Sequence, residues 1–143
     1  MSKLFDLRNK NVLLTGASKG MGLAMAHGLV NHGANVVVSS RKLDQCEKAV
    51  EIINESIGKE KAFAFSCNAS SKDELDALVE FSLSKLGSIT TLVCNAGVNS
   101  FFGSMSEIDD ESYDKTMDTN VKSNHWLINM VTPSTVSYTH LRA

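Results

Sequence analysis

The sequence is poor in cysteine, proline and aromatic residues: three Cys, one Pro, one Trp and two Tyr among 143 residues. Three thiols, Cys46, Cys67 and Cys94, are odd in number and far apart, which excludes a disulfide scaffold and suits the reduced thiols of a cytoplasmic protein. A single Pro beside nine Gly excludes collagen-like and proline-rich disordered chains. No apolar stretch approaches the roughly 20 residues of a spanning helix. The opening Met-Ser-Lys-Leu-Phe-Asp-Leu-Arg lacks the apolar core of an export signal. No membrane association is therefore expected. A net charge of −2 leaves no basic footprint for nucleic acid or an anionic surface. His27, His32, His125 and His140 keep no ligand spacing with the cysteines, so no metal site is expected. What remains, 43% hydrophobic and 21% charged, fits one folded domain with a core. Doubly wound α/β domains often need roughly 200–250 residues, so the short length itself calls for an explanation.

Four short apolar runs recur: Asn11-Val-Leu-Leu, Asn35-Val-Val-Val, Ala62-Phe-Ala-Phe and Thr91-Leu-Val-Cys. Runs apolar on both faces are what a helix-covered parallel sheet requires. Between them lie helical patterns. Leu43, Cys46, Val50, Ile53 and Ile57 lay one stripe along a helix. Ser71-Lys-Asp-Glu74 reads as a capping box, with Leu75, Leu78, Val79 and Leu86 facing inward behind it. Gly33, Gly58 and Gly87 close helices as left-handed terminators. A helix with an acidic front follows from Asp109 to Val131. The pattern β-α-β-α-β-α-β-α predicts a Rossmann-type, doubly wound parallel sheet, truncated after the fourth strand and the long helix.

The first strand runs directly into Thr15-Gly16-Ala17-Ser18-Lys19-Gly20-Met21-Gly22 and a helix. Glycines at such a junction let the backbone turn tightly and approach a pyrophosphate seated on the helix N-terminus. The Gly-Lys-Ser/Thr ending of an NTPase phosphate loop is missing. The second strand ends Ser39-Ser40-Arg41-Lys42, with two bases and none of the acid that grips the ribose hydroxyls of NAD. Arg41, with Lys19 of the glycine loop, suits a 2′-phosphate, so NADP(H) is preferred over NAD(H) and Ser40 and Arg41 become cofactor-binding candidates. The missing acid also argues against a methyltransferase.

Thr-Gly-x3-Gly-x-Gly at 15–22, Asn95-Ala96-Gly97 after the fourth strand and Asn120 in the long helix together resemble the short-chain dehydrogenase/reductase family, from Leu4 to Pro133. The stretches Val98-Asn-Ser-Phe-Phe-Gly103 and Asp114-Lys-Thr-Met-Asp-Thr-Asn120-Val-Lys look most like its NADP(H)-dependent carbonyl reductases. The resemblance implies that Gly16, Ser18, Lys19, Gly20, Met21 and Gly22 line the pyrophosphate and adenosine end. It sets Asn95, Ala96 and Gly97 in a loop beside the cofactor that also braces the sheet. Asn68 stands where the family usually has an Asp facing adenine; it keeps an acceptor oxygen and adds a donor. Asn120 corresponds to the family's catalytic Asn, whose helix distortion orders a water in the proton relay. The implied activity is hydride transfer between nicotinamide and a carbonyl or secondary alcohol, in a homo-oligomer. Tyr113, Met117, Trp126 and Ile128 are then either subunit contacts or core, and Phe101, Phe102 and Met105 either a substrate wall or core.

The family's Ser, Tyr and Lys, which polarise the carbonyl and pass the proton, are expected beyond a further strand. Tyr138-x3-Arg142, with Ser137 beside it, is no substitute, because no fifth strand separates it from Asn120. Residues 136–143, Val-Ser-Tyr-Thr-His-Leu-Arg-Ala, can be written GTC TCT TAT ACA CAT CTC CGA GCC, which looks like translated transposase adapter from a sequencing library. The expectation is thus a native segment, 1–135, of a single dinucleotide-binding domain and a non-native tail, 136–143. A chain stopping there is expected to leave the fourth strand's edge bare, to fold poorly and to be inactive. The alternative is a dinucleotide-binding, redox-sensing module without chemistry.

Overall fold

A computed structural model describes residues 3–135; the Tyr138 and Arg142 reading and the 136–143 boundary fall outside the described residues. Four strands, β1 (Asn11–Thr15), β2 (Asn35–Ser40), β3 (Ala62–Ser66) and β4 (Thr91–Val93), form one parallel sheet in the order β3-β2-β1-β4. Three helices alternate with them: α1 (Gly20–Asn31), α2 (Leu43–Ile57) and α3 (Lys72–Leu86). After β4 come α4 (Asp110–Met117), one wide turn (Asp118–Lys122) and α5 (Ser123–Thr135). The doubly wound α/β expectation holds.

Strand period two divides the core into two layers. Val12, Leu14, Val36 and Val38 point to one face and pack on Ala26 and Val30 of α1 and Cys46, Ala49 and Ile53 of α2. Leu13 and Val37 point to the other and meet Leu75, Leu78 and Val79 of α3 with Leu127 and Val131 of α5. Both faces of β1 and β2 are therefore covered, which is why their sequences do not alternate. The register pairs Leu13 with Val37 on one side and Leu92 on the other.

At the start of the strands a polar ladder crosses the sheet. Asn35 Nδ2 donates to Asn11 Oδ1 at 2.9 Å, Lys61 Nζ donates to Asn35 Oδ1 at 3.2 Å, and Asn11 Nδ2 donates to the Leu86 carbonyl at 3.0 Å. These bonds tie neighbouring strands at one level. The cleft described below opens at the opposite end of the sheet, where the chain leaves β1 for α1 on one face and β4 for the other. At such a switch point the connections diverge and open a crevice.

Several expectations change in detail. Leu43 belongs to the expected stripe but is exposed at the head of α2, and Ala49 is buried in the stripe instead. The long helix is one rod interrupted by the wide turn, where the Ser123 N–H reaches the Asp118 carbonyl five residues back. It runs past Val131 to Thr135, with Pro133 inside its last turn. Tyr113, Met117 and Ile128 are exposed on the rod, whereas Trp126 packs against the α3 and α5 layer. Phe102 and Met105 are exposed rather than core. No helix among the described residues is long and apolar enough to cross a membrane.

Gly28 lies within α1, and a Cβ there meets nothing within 4 Å. Gly28→Ala removes backbone freedom from the unfolded chain without a clash. It is expected to raise stability by about 0.5–1 kcal/mol, read as a higher urea midpoint at unchanged slope.

Candidate functional site

The site begins with Thr15, the last residue of β1. Its side chain is buried at 2% exposure, and its Oγ1 accepts the Asn95 N–H at 3.2 Å and the Ala96 N–H at 3.1 Å. Asn95 returns the contact: Nδ2 donates to the Thr15 carbonyl at 3.1 Å and the Gly16 carbonyl at 2.8 Å. Four bonds thus pin the chain leaving β4 to the glycine turn leaving β1. Gly16 sits at φ +66° directly against Ala96, where a Cβ would meet the Ala96 Cα at 2.8 Å. Gly22 is tighter still: a Cβ would lie 2.3 Å from the Gly16 carbonyl oxygen and 2.7 Å from Asn95 Nδ2. Glycine at 16 and 22 is imposed by neighbours, and at Gly20 by a φ of +57°.

The helix that follows is open for an anion. Lys19 at its N-cap makes no side-chain capping bond, and the first turn of α1 holds no acid. The other helices that follow strands are equipped differently, since α2 carries Asp44 in its first turn and α3 is capped by Ser71 with Asp73 and Glu74 behind it. The first N–H groups of α1 are thus left for a ligand, and the helix dipole favours a negative one.

A cleft of about 800 Å³ extends from this turn. It passes Ser18 and Lys19, Ser39 to Lys42 at the end of β2, Cys67 to Ser70 at the end of β3, and Asn95 to Val98 after β4. Lys19, Arg41, Lys42 and Lys115 line it, with no carboxylate among the lining residues. An elongated cleft with four cations and an uncapped helix end is built for a phosphate-bearing ligand, and its donor set fits a dinucleotide.

Of the expected site residues, Gly16, Ser18, Lys19, Ser40, Arg41, Asn68, Asn95, Ala96 and Gly97 share this cleft. Gly20, Met21 and Gly22 form the first turn of α1, and the Met21 side chain is exposed beyond the lining. The Ser40 hydroxyl is partly committed inward, 3.1 Å from Cys46 Sγ. Asn120 lies in the wide turn. Its Oδ1 accepts the Val98 N–H and its Nδ2 donates to the Val98 carbonyl, both at 2.8 Å, while its own carbonyl accepts from Asn124 Nδ2 at 2.8 Å. The side chain therefore fastens the loop after β4 to the rod. Sequence reasoning missed Thr15, Thr119 and Lys115. Thr15 stands first in the glycine motif and was legible there, but nothing local marks the other two.

Burial pushes the Cys67 thiol up to about 12, with the nearby Glu74 carboxylate adding to it, and burial raises Cys46 and Cys94 as well. Each shift favours the neutral thiol over the thiolate.

Fold and site together define a doubly wound α/β protein with a cation-lined cleft at the switch point of its sheet. A family model described as short chain dehydrogenase matches residues 10–139, and the chain belongs to that oxidoreductase family. It is 36% identical over 124 residues to dehydrogenase/reductase SDR family member 4 of Caenorhabditis elegans, covering 87% of this chain and 47% of that protein. The L-sorbose reductase of Gluconobacter frateurii, complexed with NADPH and L-sorbose, superposes with a TM-score of 0.85 at 27% identity, over 92% of this chain and 49% of that one. The 3-ketoacyl-(acyl-carrier-protein) reductase of Brucella melitensis, complexed with NADH, superposes at 0.80 and 30% identity, over 87% and 49%. The chain spans about half the length of the relatives it matches.

Gly22→Ala drives a methyl group into the Gly16 carbonyl and Asn95. Expected are a stability loss of about 1–3 kcal/mol from overpacking and a smaller rise in melting temperature on addition of a nicotinamide dinucleotide. Thermal unfolding with and without the dinucleotide checks both. Asn95→Ala is expected to cost a similar amount, about 1–3 kcal/mol, by leaving the Thr15 and Gly16 carbonyls without their donor.

Proposed function

We propose that the protein is an NADP(H)-preferring oxidoreductase of the short-chain class, working on a carbonyl or secondary alcohol. The single observation that carries the cofactor choice is the end of β2. Ser40, Arg41 and Lys42 enter the cleft there, beside Lys19 of the glycine turn and with no acid among the lining residues. A ribose bearing a 2′-phosphate meets Arg41 and Lys19 at that point. A ribose with free hydroxyls lacks the carboxylate acceptor that would hold it. Bound in this cleft, the nicotinamide dinucleotide supplies or receives the hydride.

The chain's own residues bind and orient. Gly16, Ser18, Gly20, Met21 and Gly22 present backbone to the pyrophosphate at the open end of α1. Ala96 and Gly97, held by Thr15 and Asn95, form the adjoining wall. Asn120 acts as a positioning residue: its side chain holds the loop after β4, and the wide turn around it redirects the carbonyls of the rod. In the full reaction this turn belongs to the proton path that the resemblance assigns to Asn120. Reduced thiols at Cys46, Cys67 and Cys94 suit a cytoplasmic location, and exposed Tyr113, Met117 and Ile128 suit contact between subunits. The 143-residue chain is in this reading inactive by itself.

A sensor without chemistry is the competing reading, and reductase turnover by the complete reading frame decides against it. On that protein Arg41→Asp is expected to weaken NADPH binding by about 10–100-fold, the worth of one lost charge-assisted contact plus repulsion, while NADH binding changes little. Fluorescence titration of both dinucleotides measures it. Equal loss for the two dinucleotides, or none for NADPH, overturns the assignment of Arg41 to the 2′-phosphate.

A further inference from the structure

Among the described residues the ion pairs are Arg8–Asp6 and Lys122–Asp118. None of the four cations lining the cleft, Lys19, Arg41, Lys42 and Lys115, joins either pair. Three of them follow the ends of β1 and β2. Lys115 comes instead from α4, one helical turn before Thr119, which lines the cleft with it at 8% exposure. It is the only base of α4, whose other charged residues are Asp110, Glu111 and Asp114. Asp118, three residues on, is the neighbour that would pair with it, but that carboxylate is taken. Its Oδ1 accepts Lys122 Nζ at 3.0 Å, and the same ammonium sits 5.2 Å from the centre of the Trp126 ring. Glu111, four residues before Lys115, leaves it unpaired as well. Lys115 is thus an exposed ammonium at the cleft, on a helix that is otherwise acidic.

Immobilising an exposed lysine costs side-chain entropy, so such a residue adds little to a bound complex. Its field acts before contact. The chain carries a net charge of −2, and an anion approaching past α4 meets Asp110, Glu111 and Asp114 unless a cation offsets them. A cleft lined by one sign of charge focuses its field and raises the rate at which an opposite charge arrives. Resting on the dinucleotide reading above, we propose that Lys115 is a steering residue: it speeds entry of the anionic dinucleotide and leaves retention to the residues at the ends of β1 and β2. Steering answers to the total charge of the ligand. It therefore serves NADPH and NADH alike, each in proportion to its charge, whereas Arg41 answers to the 2′-phosphate. That phosphate roughly doubles the negative charge of the dinucleotide.

The test is stopped-flow binding of NADPH and NADH to the protein expressed from its complete reading frame, followed by fluorescence of the reduced nicotinamide. At about 10 mM salt the Debye length is about 30 Å, long enough for the field to reach an approaching ligand. There Lys115→Gln is expected to slow association about twofold for NADH and about fourfold for NADPH, with dissociation unchanged within about 1.5-fold. Lys115→Glu changes the charge twice as far and is expected to square both factors, while Lys115→Arg keeps the wild-type rates. At about 1 M salt, where the Debye length is about 3 Å, all four proteins are expected to associate equally fast. Dissociation from Lys115→Gln faster by more than about threefold means that Lys115 grips the bound ligand, and overturns the steering role. A slowing that survives high salt overturns it too, as does a Lys115→Gln protein with wild-type association at low salt. Each of these leaves the cofactor reading intact. Binding of neither dinucleotide by a folded wild type removes that reading and this inference with it.

Discussion

The interlock of Thr15 and Asn95 is the constraint on which the rest of the site depends. A parallel sheet leaves its strands' C-terminal ends without further partners, and the segments leaving β1 and β4 depart to opposite faces. Something must hold them side by side if a ligand is to lie across both. Here one hydroxyl accepts two N–H groups while one amide donates to two carbonyls, so the bonds run both ways across the gap. Both side chains belong to the frame, and both satisfy backbone groups that the end of the sheet would otherwise strand. Packing of Gly16 and Gly22 against Ala96 and Asn95 follows from that closeness, because no side chain fits between segments so tightly drawn together.

A second clamp repeats the arrangement one level further along the chain. Asn120 bonds both polar backbone groups of Val98, as a neighbouring strand would. Beyond β4 the sheet ladder has ended, and the described residues place no strand against the outer edge of β4. The wide turn lets Asn120 face the loop while Leu127 and Val131 remain buried on α3, a combination that uninterrupted 3.6-residue periodicity would not deliver. Together the two clamps carry order from the buried sheet into a loop that has no regular structure of its own.

Much of this was legible in the residues. Val36, Val37 and Val38 announce a strand buried on both faces, Ser71 and Asp109 announce helix starts, and the glycine spacing announces the turn. Each signal is local, a matter of which conformations and faces a few consecutive residues can occupy. Less legible were Leu43, which opens α2 from an apolar stripe yet faces solvent, and Phe102 and Met105, apolar residues that the fold leaves exposed. Hydrophobicity states a preference for burial without saying whether any neighbouring surface is there to provide it. Lys115 was likewise unmarked, since nothing in a helix's own sequence says that a cleft will open beside it; its place in the lining comes from the fold.

By itself the sequence determined the α/β alternation, the position of the glycine turn and the absence of an acid after β2, because these depend on residue type and short spacing. Only the tertiary structure decided the strand order that sets β4 beside β1, the use of Asn120 as a clamp on Val98, and the partner of the Glu74 carboxylate. Those depend on bonds between groups distant in the chain, or on rival partners for one atom. The carboxylate of Glu74 illustrates the difference. Its spacing from Ser71 promises a reciprocal cap, yet the folded chain presents the Asn68 N–H to it.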